Sequence, residues 1–504
     1  MSIVRKHIGI ELSSTSIMTR NREREIMKGY GLRQFSEDGI TAIHNASVEV
    51  LERVGVRVDE PVAFERFREH GCEVDVKGRV VRIPEYLVDY ALSKVPSRVT
   101  LYGRDRSRRM QLTGLNVYFG TGAGCPYVWV NGGRRSGVKR DAEDCVRVSD
   151  FLGHVDFAMA CVVPNDQLEV SQDLHEFELM ARNTSKPMVA MAYKYGHGAK
   201  IAEMASTIVG GDEELRKKPI VALYTEPVSP LILERDATRN FLDFAERGLP
   251  TVFVSSPIGG LTAPITLAGL VTLNNVEALA GIVLGQITRP GTPMIHGGGT
   301  TVMDVYTAEP DNSGPEFPLA ASAGAQLARF YGIPTWGHAG LTHSRDVDAQ
   351  AVGDAVFNIM TTAFSGQNLV HDLGFMDTAL TYSPELLVIC DDIVGKVERF
   401  LKGIEVNEET IGLDVISRVG IGNSYLHDPH TLKHTKQELY VSKLAVRDEY
   451  SKWIEKGRIS MIKKAQEETK SILDRHKPSP LEPHVTSELV RIIKEAENTA
   501  DLPS

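Results

Sequence analysis

Apolar residues recur along this chain in two rhythms. Short runs rich in branched and aromatic residues fall at 117–119, 155–163, 188–193, 220–224, 251–255, 293–296, 333–336 and 368–371, roughly every 30 to 40 residues. Each ends in glycine or a polar residue. Between most of them apolar positions return at helical spacing, over 141–153, 168–183, 234–248, 266–287, 317–331 and 347–365, and several of these stretches stop at glycine or just before proline. Eight strand-like runs alternating with helices predict an α/β fold of repeated βα units, a TIM (β/α)8 barrel from about Asn116 to Asp377.

A barrel of this kind takes about 250 residues, and the chain has 504. The pattern divides it into an N-terminal extension of helices and short strands (1–110), the barrel (111–380) and a C-terminal helical extension (381–504). In the first part the polar opening, to about Asp38, is expected to be partly disordered. Ser36 then caps a helix through Ile43, Val48, Leu51 and Val54, residues 80–84 form a strand, and 85–94 a second helix. Beyond Tyr382 the pattern is helical and charged over 391–401, 437–456 and 460–477, a tail suited to packing on the barrel or to self-association, hence an expected homo-oligomer.

The net charge of −10 argues against nucleic acid as a partner, since that contact depends on basic clusters. The basic groups at 104–109 and 134–135 are short and read as solvated loops. Five cysteines, Cys72, Cys125, Cys145, Cys161 and Cys390, form no CxxC pair, which disfavours a thiolate zinc site, an iron–sulfur cluster or a disulfide framework. Residues 1–31 lack a signal peptide's apolar core, and no run reads as the roughly 20 apolar residues of a membrane span. The expectation is a cytoplasmic protein in a reducing compartment, without membrane contact.

Barrels carry their chemistry at the carboxyl ends of the strands. Three chemistries compete for the groups there. His296, His338 and His371 could hold a metal, although they lie on separate strands with no HxH or HxxxH spacing. Lys194 could form a Schiff base or bind an anion. Aromatic residues at or near strand ends, Tyr118, Phe119, Tyr193, Trp336 and Phe375, could box a cation, with Glu226 or Glu316 balancing its charge, and each is equally at home in a core. His427, His430 and His434 cluster beyond the barrel and suit helix capping or an interface. Gly297-Gly298-Gly299 matches neither a dinucleotide nor a P-loop spacing.

Several segments carry a family likeness. Ser229-Pro230-Leu231, Arg247-Gly248-Leu249-Pro250, the run from Ala263 to Gly269, Arg289-Pro290-Gly291-Thr292-Pro293, Tyr331-Gly332-Ile333-Pro334, Asp348-Ala349-Gln350, Leu101-Tyr102-Gly103-Arg104-Asp105 and the run from His430 to His434 closely resemble the trimethylamine methyltransferase family, over about Glu37 to Val490. The resemblance implies a barrel enzyme that moves a methyl group from an amine to the Co(I) corrinoid (cobalamin) of a separate corrinoid protein. Founding members carry pyrrolysine; this chain has only standard residues, including Gly337 to Thr342, and so looks like the non-pyrrolysine branch, which demethylates quaternary amines such as glycine betaine, proline betaine or carnitine. Val441-Ser442-Lys443-Leu444 departs from the family where a proline is expected. Asp173-Leu174-His175 opens like a corrinoid-binding motif, but Glu178 stands where that motif needs glycine, so the corrinoid belongs to the partner.

A quaternary nitrogen leaves as a neutral amine and needs no acid. The expected site follows from that. His371, Glu226 and Glu316 are its catalytic candidates, with no directly bound metal. Tyr118, Phe119, Tyr193, Trp336, His343, Arg345 and Phe375 would bind substrate, with His343, Arg345, Lys194 and His371 as donors to a betaine carboxylate. His296, Gly297, Gly298 and His338 would face the corrinoid, since glycine lets a flat macrocycle approach the backbone. A metal-dependent hydrolase or lyase and a betaine-binding protein without turnover are the rival classes.

Overall fold

The computed structural model describes residues 26–500, so most of the polar opening expected to be disordered lies outside the described residues. The part within them is docked. Met27–Lys28 pairs antiparallel with Val117 and Asn116, and the backbone at Gln34 and Phe35 is bonded to the Gln326 side chain. Ser36 caps the helix Glu37–Arg53 through the Gly39 amide, as its position suggests.

The strand runs build two parallel sets. Met188–Met191, Val221–Thr225, Thr251–Ser255 and Met294–Gly298 form one ladder. Trp336–His338, Leu369–His371 and Asn116–Phe119 form the other. Single parallel bridges connect them, His296 to Thr335 on one side, and Gly120 to Phe157 with Ala158 to Met188 on the other. The run expected at 155–163 therefore pairs only through isolated bridges. Along each strand alternate side chains face opposite ways. Tyr118, Phe157, Tyr224, Ile295 and Trp336 pack on one face with Leu101 and Leu112 of the hairpin Val99–Tyr102/Arg109–Leu112. Phe119, Ala190, Leu223 and Val370 face the helix layer.

The helices Lys139–Phe151, Gln172–Asn183, Arg235–Arg247, Leu267–Thr288, Glu316–Phe330 and Ala349–Ser365 lie within a few residues of their expected bounds. His197–Val209 and Asp212–Lys217 were not anticipated, because the first buries small residues such as Gly198, Ala202 and Ala205 that give a weak apolar signal. The first helix of the group ends on Lys186, whose buried ammonium donates to the carbonyls of Ser149, Leu152 and Val155. Ser149 and Leu152 are at the helix end, where carbonyls lack intrahelical partners, and Val155 lies just beyond it; burial lowers the lysine pKa to about 8.

One expectation about membranes is corrected. Leu267–Thr288 is 22 residues and is long and apolar enough to cross one, yet most of it is buried inside the protein, against the helices Glu37–Arg53, Glu85–Lys94 and Glu316–Phe330. The N-terminal strands Val56–Val58, Glu73–Asp75 and Val80–Arg82 make a small sheet that Ile232–Leu233 joins. In the tail Pro384–Leu401 and Met461–Arg475 are helices, whereas the single helix expected over 437–456 is broken: Pro429–Glu438 ends where Leu439 turns extended, and Tyr450–Glu455 restarts it. Pro483–Ala500, not foreseen, packs on His197–Val209. Cys145 and Cys161 are joined by a disulfide, a single bridge where no framework was expected.

Candidate functional site

The parallel register of Trp336–His338 and Leu369–His371 sets Trp336 beside Leu369 and His338 beside His371. Trp336 and Leu369 face the inner apolar cluster, so two residues further on both imidazoles emerge on that same side. Asp372 follows with a φ of 80°, a left-handed backbone uncommon outside glycine but better tolerated by aspartate than by most residues, and its carboxylate meets both rings. His338 Nδ1 is 2.8 Å from Asp372 Oδ2 and 2.8 Å from His371 Nε2. His371 Nδ1 lies 2.9 Å from Asp372 Oδ1, at an angle short of a hydrogen bond.

Proton positions follow from these contacts. Burial drives His371 down to about 4, although Asp372 opposes it. Burial also pushes Asp372 up, but the two histidines outweigh it and hold the carboxyl below the usual carboxylate range. An anionic Asp372 accepts the proton on His338 Nδ1. His338 Nε2 is buried without a hydrogen-bond partner.

These groups close one end of a cavity of about 300 Å³, at the small-ligand end of the usual range. Met159, Met191, Tyr224, Phe317 and Phe375 give it apolar and aromatic walls, and Glu226, Ser256 and Asn312 give it polar ones. Burial raises the Glu226 pKa, against the bonds it accepts from Ser256 and Tyr224, the latter at 3.3 Å. A larger hollow of about 640 Å³ runs beside His197–Val209, where no comparable set of groups converges. The donor atoms of His338, His371 and Asp372 lie within 4.8 Å of one another, the one such convergence among the described residues that could hold a metal ion.

Of the expected site residues, His371, Glu226, Phe375 and His338 line this cavity. Trp336 lies beneath it, its ring 4.3 Å from that of His371. The rest do not meet there. Tyr118 is in the inner core, its hydroxyl accepting from the Gln111 amide. Phe119, one residue on, faces the helices. Tyr193 donates to buried Glu176. His343 Nε2 accepts the Asn312 amide at 2.8 Å, and exposed Arg345 pairs with Asp377. Lys194 pairs with Glu169 in solvent. Glu316 opens the helix Glu316–Phe330, where an acidic residue complements the helix dipole. His296 points outward to Asn274 and Ala325 of the helix layer, because Ile295 takes the inward position.

Gly297 and Gly298 do not cradle a macrocycle. A side-chain carbon at Gly297 would strike Val254 at 2.7 Å, and one at Gly298 would press on Asn274 at 3.0 Å. Gly299 alone of the three lines the cavity. The residues overlooked were Asp372, Tyr224 and Ser256, all at strand ends, together with Met159, Met191 and Phe317. His434, of the distal cluster, pairs with Glu409 near the surface.

The fold and site define a mixed α/β protein whose parallel strands gather acid, imidazole and aromatic groups around a small cavity. The profile of trimethylamine methyltransferase (MTTB) matches residues 12–500. The chain is 31% identical over 475 residues to trimethylamine methyltransferase MttB of Desulfitobacterium hafniense (strain DSM 10664 / DCB-2), covering 94% of this chain and 95% of that one. It is 29% identical over 461 residues to the glycine betaine methyltransferase of Desulfitobacterium hafniense (strain Y51), covering 91% and 96%. The crystal structure of the hydroxylamine MtmB complex shares the fold, with a TM-score of 0.52 at 11% identity over 99% of this chain and 91% of that one. The chain belongs to the trimethylamine methyltransferase family and is a methyltransferase.

Proposed function

We propose that this protein transfers a methyl group from a quaternary amine to the Co(I) corrinoid of a separate carrier protein, in a closed (β/α)8 barrel spanning 111–380, with 1–110 and 381–504 as additions. The observation that carries the substrate class is the charge of the cavity: Glu226 and Asp372 line it with the rings of Tyr224, Phe317 and Phe375, and among the described residues no lysine or arginine does. Aromatic faces and carboxylates together hold a quaternary ammonium. The likeness to a glycine betaine methyltransferase supports the same class. The chain of parallel pairings from Asn116–Phe119 round to Leu369–His371 supports closure.

The reduced corrinoid supplies the nucleophile. A cavity of about 300 Å³ holds the methyl donor and not a macrocycle, so the partner must present cobalt at its mouth. Within it, Tyr224, Phe317 and Phe375 position the ammonium, and Glu226 compensates its charge. A bound cation favours the carboxylate form of Glu226, countering the burial that otherwise raises its pKa. As the methyl group departs the nitrogen becomes neutral, so no group here donates a proton to it. Asp372 fixes the His338 ring, and His371 packs between Trp336 and His338 as part of the floor. Confinement in this geometry supplies the proximity contribution.

The test offers glycine betaine, proline betaine, carnitine, choline, tetramethylammonium and trimethylamine with a reduced corrinoid and candidate carrier proteins, and follows corrinoid methylation by absorbance. Methylation by a quaternary amine, lost in His371→Ala with the circular dichroism unchanged, is the expected result. No methylation with any of them overturns the proposal.

A further inference from the structure

We infer that an apolar patch on the loops that follow Thr251–Ser255 and Met294–Gly298, made of Leu261, Ile265, Met303, Val305 and Tyr306, is the surface on which the carrier protein docks, through an apolar face edged by lysine or arginine. This rests on the methyltransferase reading above and names the partner's contact surface.

The two loops form one unit. Ile258–Gly259 pairs in parallel with Thr301 and Val302, and Val302 and Met303 pair antiparallel with Asp311 and Pro310. A side-chain carbon at Gly260 would lie 3.0 Å from Met303 and 3.1 Å from Ile265, so both side chains close on the same point. Beyond Met303 the hairpin turns. There the Asp304 carboxylate accepts from the Tyr306 and Thr307 amides and from the Thr307 hydroxyl, at 2.8 to 3.1 Å. The turn so fixed holds Val305 77% and Tyr306 93% exposed, beside exposed Leu261 and Ile265. Side chains presented on a pre-set turn give up little freedom when a partner covers them.

The place of the patch identifies its occupant. The bases of the same loops, Ser256, Ile258, Thr301, Pro310 and Asn312, line the cavity. A cavity of about 300 Å³ does not admit a macrocycle, so the corrinoid must be brought to it by a protein resting on the loops around it. Among the described residues the other strand-end loops expose one large apolar side chain at most, as at Leu168, Tyr195, Val228 and Leu380. Apolar residues exposed singly are ordinary, whereas a group of them marks an interaction site. A second copy of this chain seated here would close the cavity that turnover needs open. The charge narrows the partner further. Residues 256–266 carry none, and 299–315 carry Asp304, Glu309 and Asp311 with no lysine or arginine. Such an edge steers a partner of opposite charge.

The test changes Val305→Asp and Tyr306→Asp together and follows methylation by absorbance with two acceptors, the carrier protein that supports turnover and free reduced cobalamin. KM for the carrier is expected to rise about 10-fold, as loss of an anchoring tyrosine does at other interfaces, while the rate with free cobalamin stays within about twofold. Ile421→Asp, at a fully exposed apolar residue of the tail, leaves both unchanged. In the unaltered protein KM for the carrier rises with salt. An unchanged KM in the double variant overturns the inference, as does an equal rise in Ile421→Asp. An equal loss with free cobalamin also overturns it, because the hairpin would then shape the cavity rather than hold the carrier. So does a dimer in sedimentation that the double variant separates, since the patch would then join two copies. A KM that falls with salt overturns the basic edge. Methylation of neither acceptor by the unaltered protein refutes the methyltransferase reading itself, and the inference with it.

Discussion

Two buried clusters of acids with histidine sit on opposite sides of the parallel strands, and they are built to different ends. In the helix layer, Asp173 accepts from the Tyr193 amide and the His197 ring, Tyr193 donates its hydroxyl to Glu176, and Glu178 pairs with Lys139 and Arg182. Burial raises Glu176 and Tyr193 well above their usual values, which keeps both protonated and the set nearly neutral. Inside, Asp372 binds two histidines, yet His338 Nε2 is left without a partner and the group borders a cavity. The acids of both clusters are buried. What separates them is that the outer set is paired within the protein, whereas the inner one leaves a ring nitrogen without a partner beside a cavity.

The largest effect that would break this contrast is on turnover. Asp372→Asn removes the anion that fixes the His338 proton on Nδ1, so kcat/KM for corrinoid methylation should fall about 100-fold, equivalent to about 2.7 kcal/mol in the barrier. Asp173→Ala should do the reverse. Breaking a buried pair costs about 3 kcal/mol, which urea denaturation would read, while turnover changes no more than about twofold. Equal losses of activity in the two variants would mean that both clusters serve only to hold the fold.

A smaller effect concerns the cation's counter-charge. Glu226→Gln should raise KM about 10-fold, about 1.4 kcal/mol, with kcat changed less. The pH profile sharpens this test. The Glu226 pKa is raised by burial, so the group is neutral below that value and anionic above it. Substrate affinity should therefore rise with pH across a pKa above the usual carboxylate range, and the Gln variant should lose that rise. A profile unchanged by the substitution would remove Glu226 from the site.

The βα beat was legible because strand runs and amphipathic helices leave different periods in the sequence, and Ser36, Gly248 and Ser383 mark helix ends as their chemistry dictates. The site was legible only by neighbourhood. Strand ends located His371, His338, Glu226 and Phe375, but inward or outward orientation turns on a one-residue phase. Phe119 and His296 fall on the wrong side of it, beside Tyr118 and Ile295, and short runs such as 293–296 do not reveal which phase holds. Asp372 was harder to see, since its role depends on a positive φ that no local pattern announces. Met159 was obscured for another reason: its segment pairs through bridges alone.

That one-residue phase also yields the smallest prediction. His296, turned toward the helices, is held by burial at a pKa of about 4, against 6.5 when free. Its proton is thus bound more tightly in the unfolded chain. Stability from this group is fully present above pH 6.5 and is lost as pH falls toward 4, at no more than about 1.4 kcal/mol per pH unit. His371, also at about 4, contributes a second increment of the same sign. In unfolding free energies measured between pH 6.5 and 5, His296→Leu should remove its share of the loss with acidity while leaving quaternary-amine binding within about twofold. If the slope flattens and binding also collapses, His296 faces the cavity after all, and the division of the strand-end histidines into an inner pair and an outer one fails.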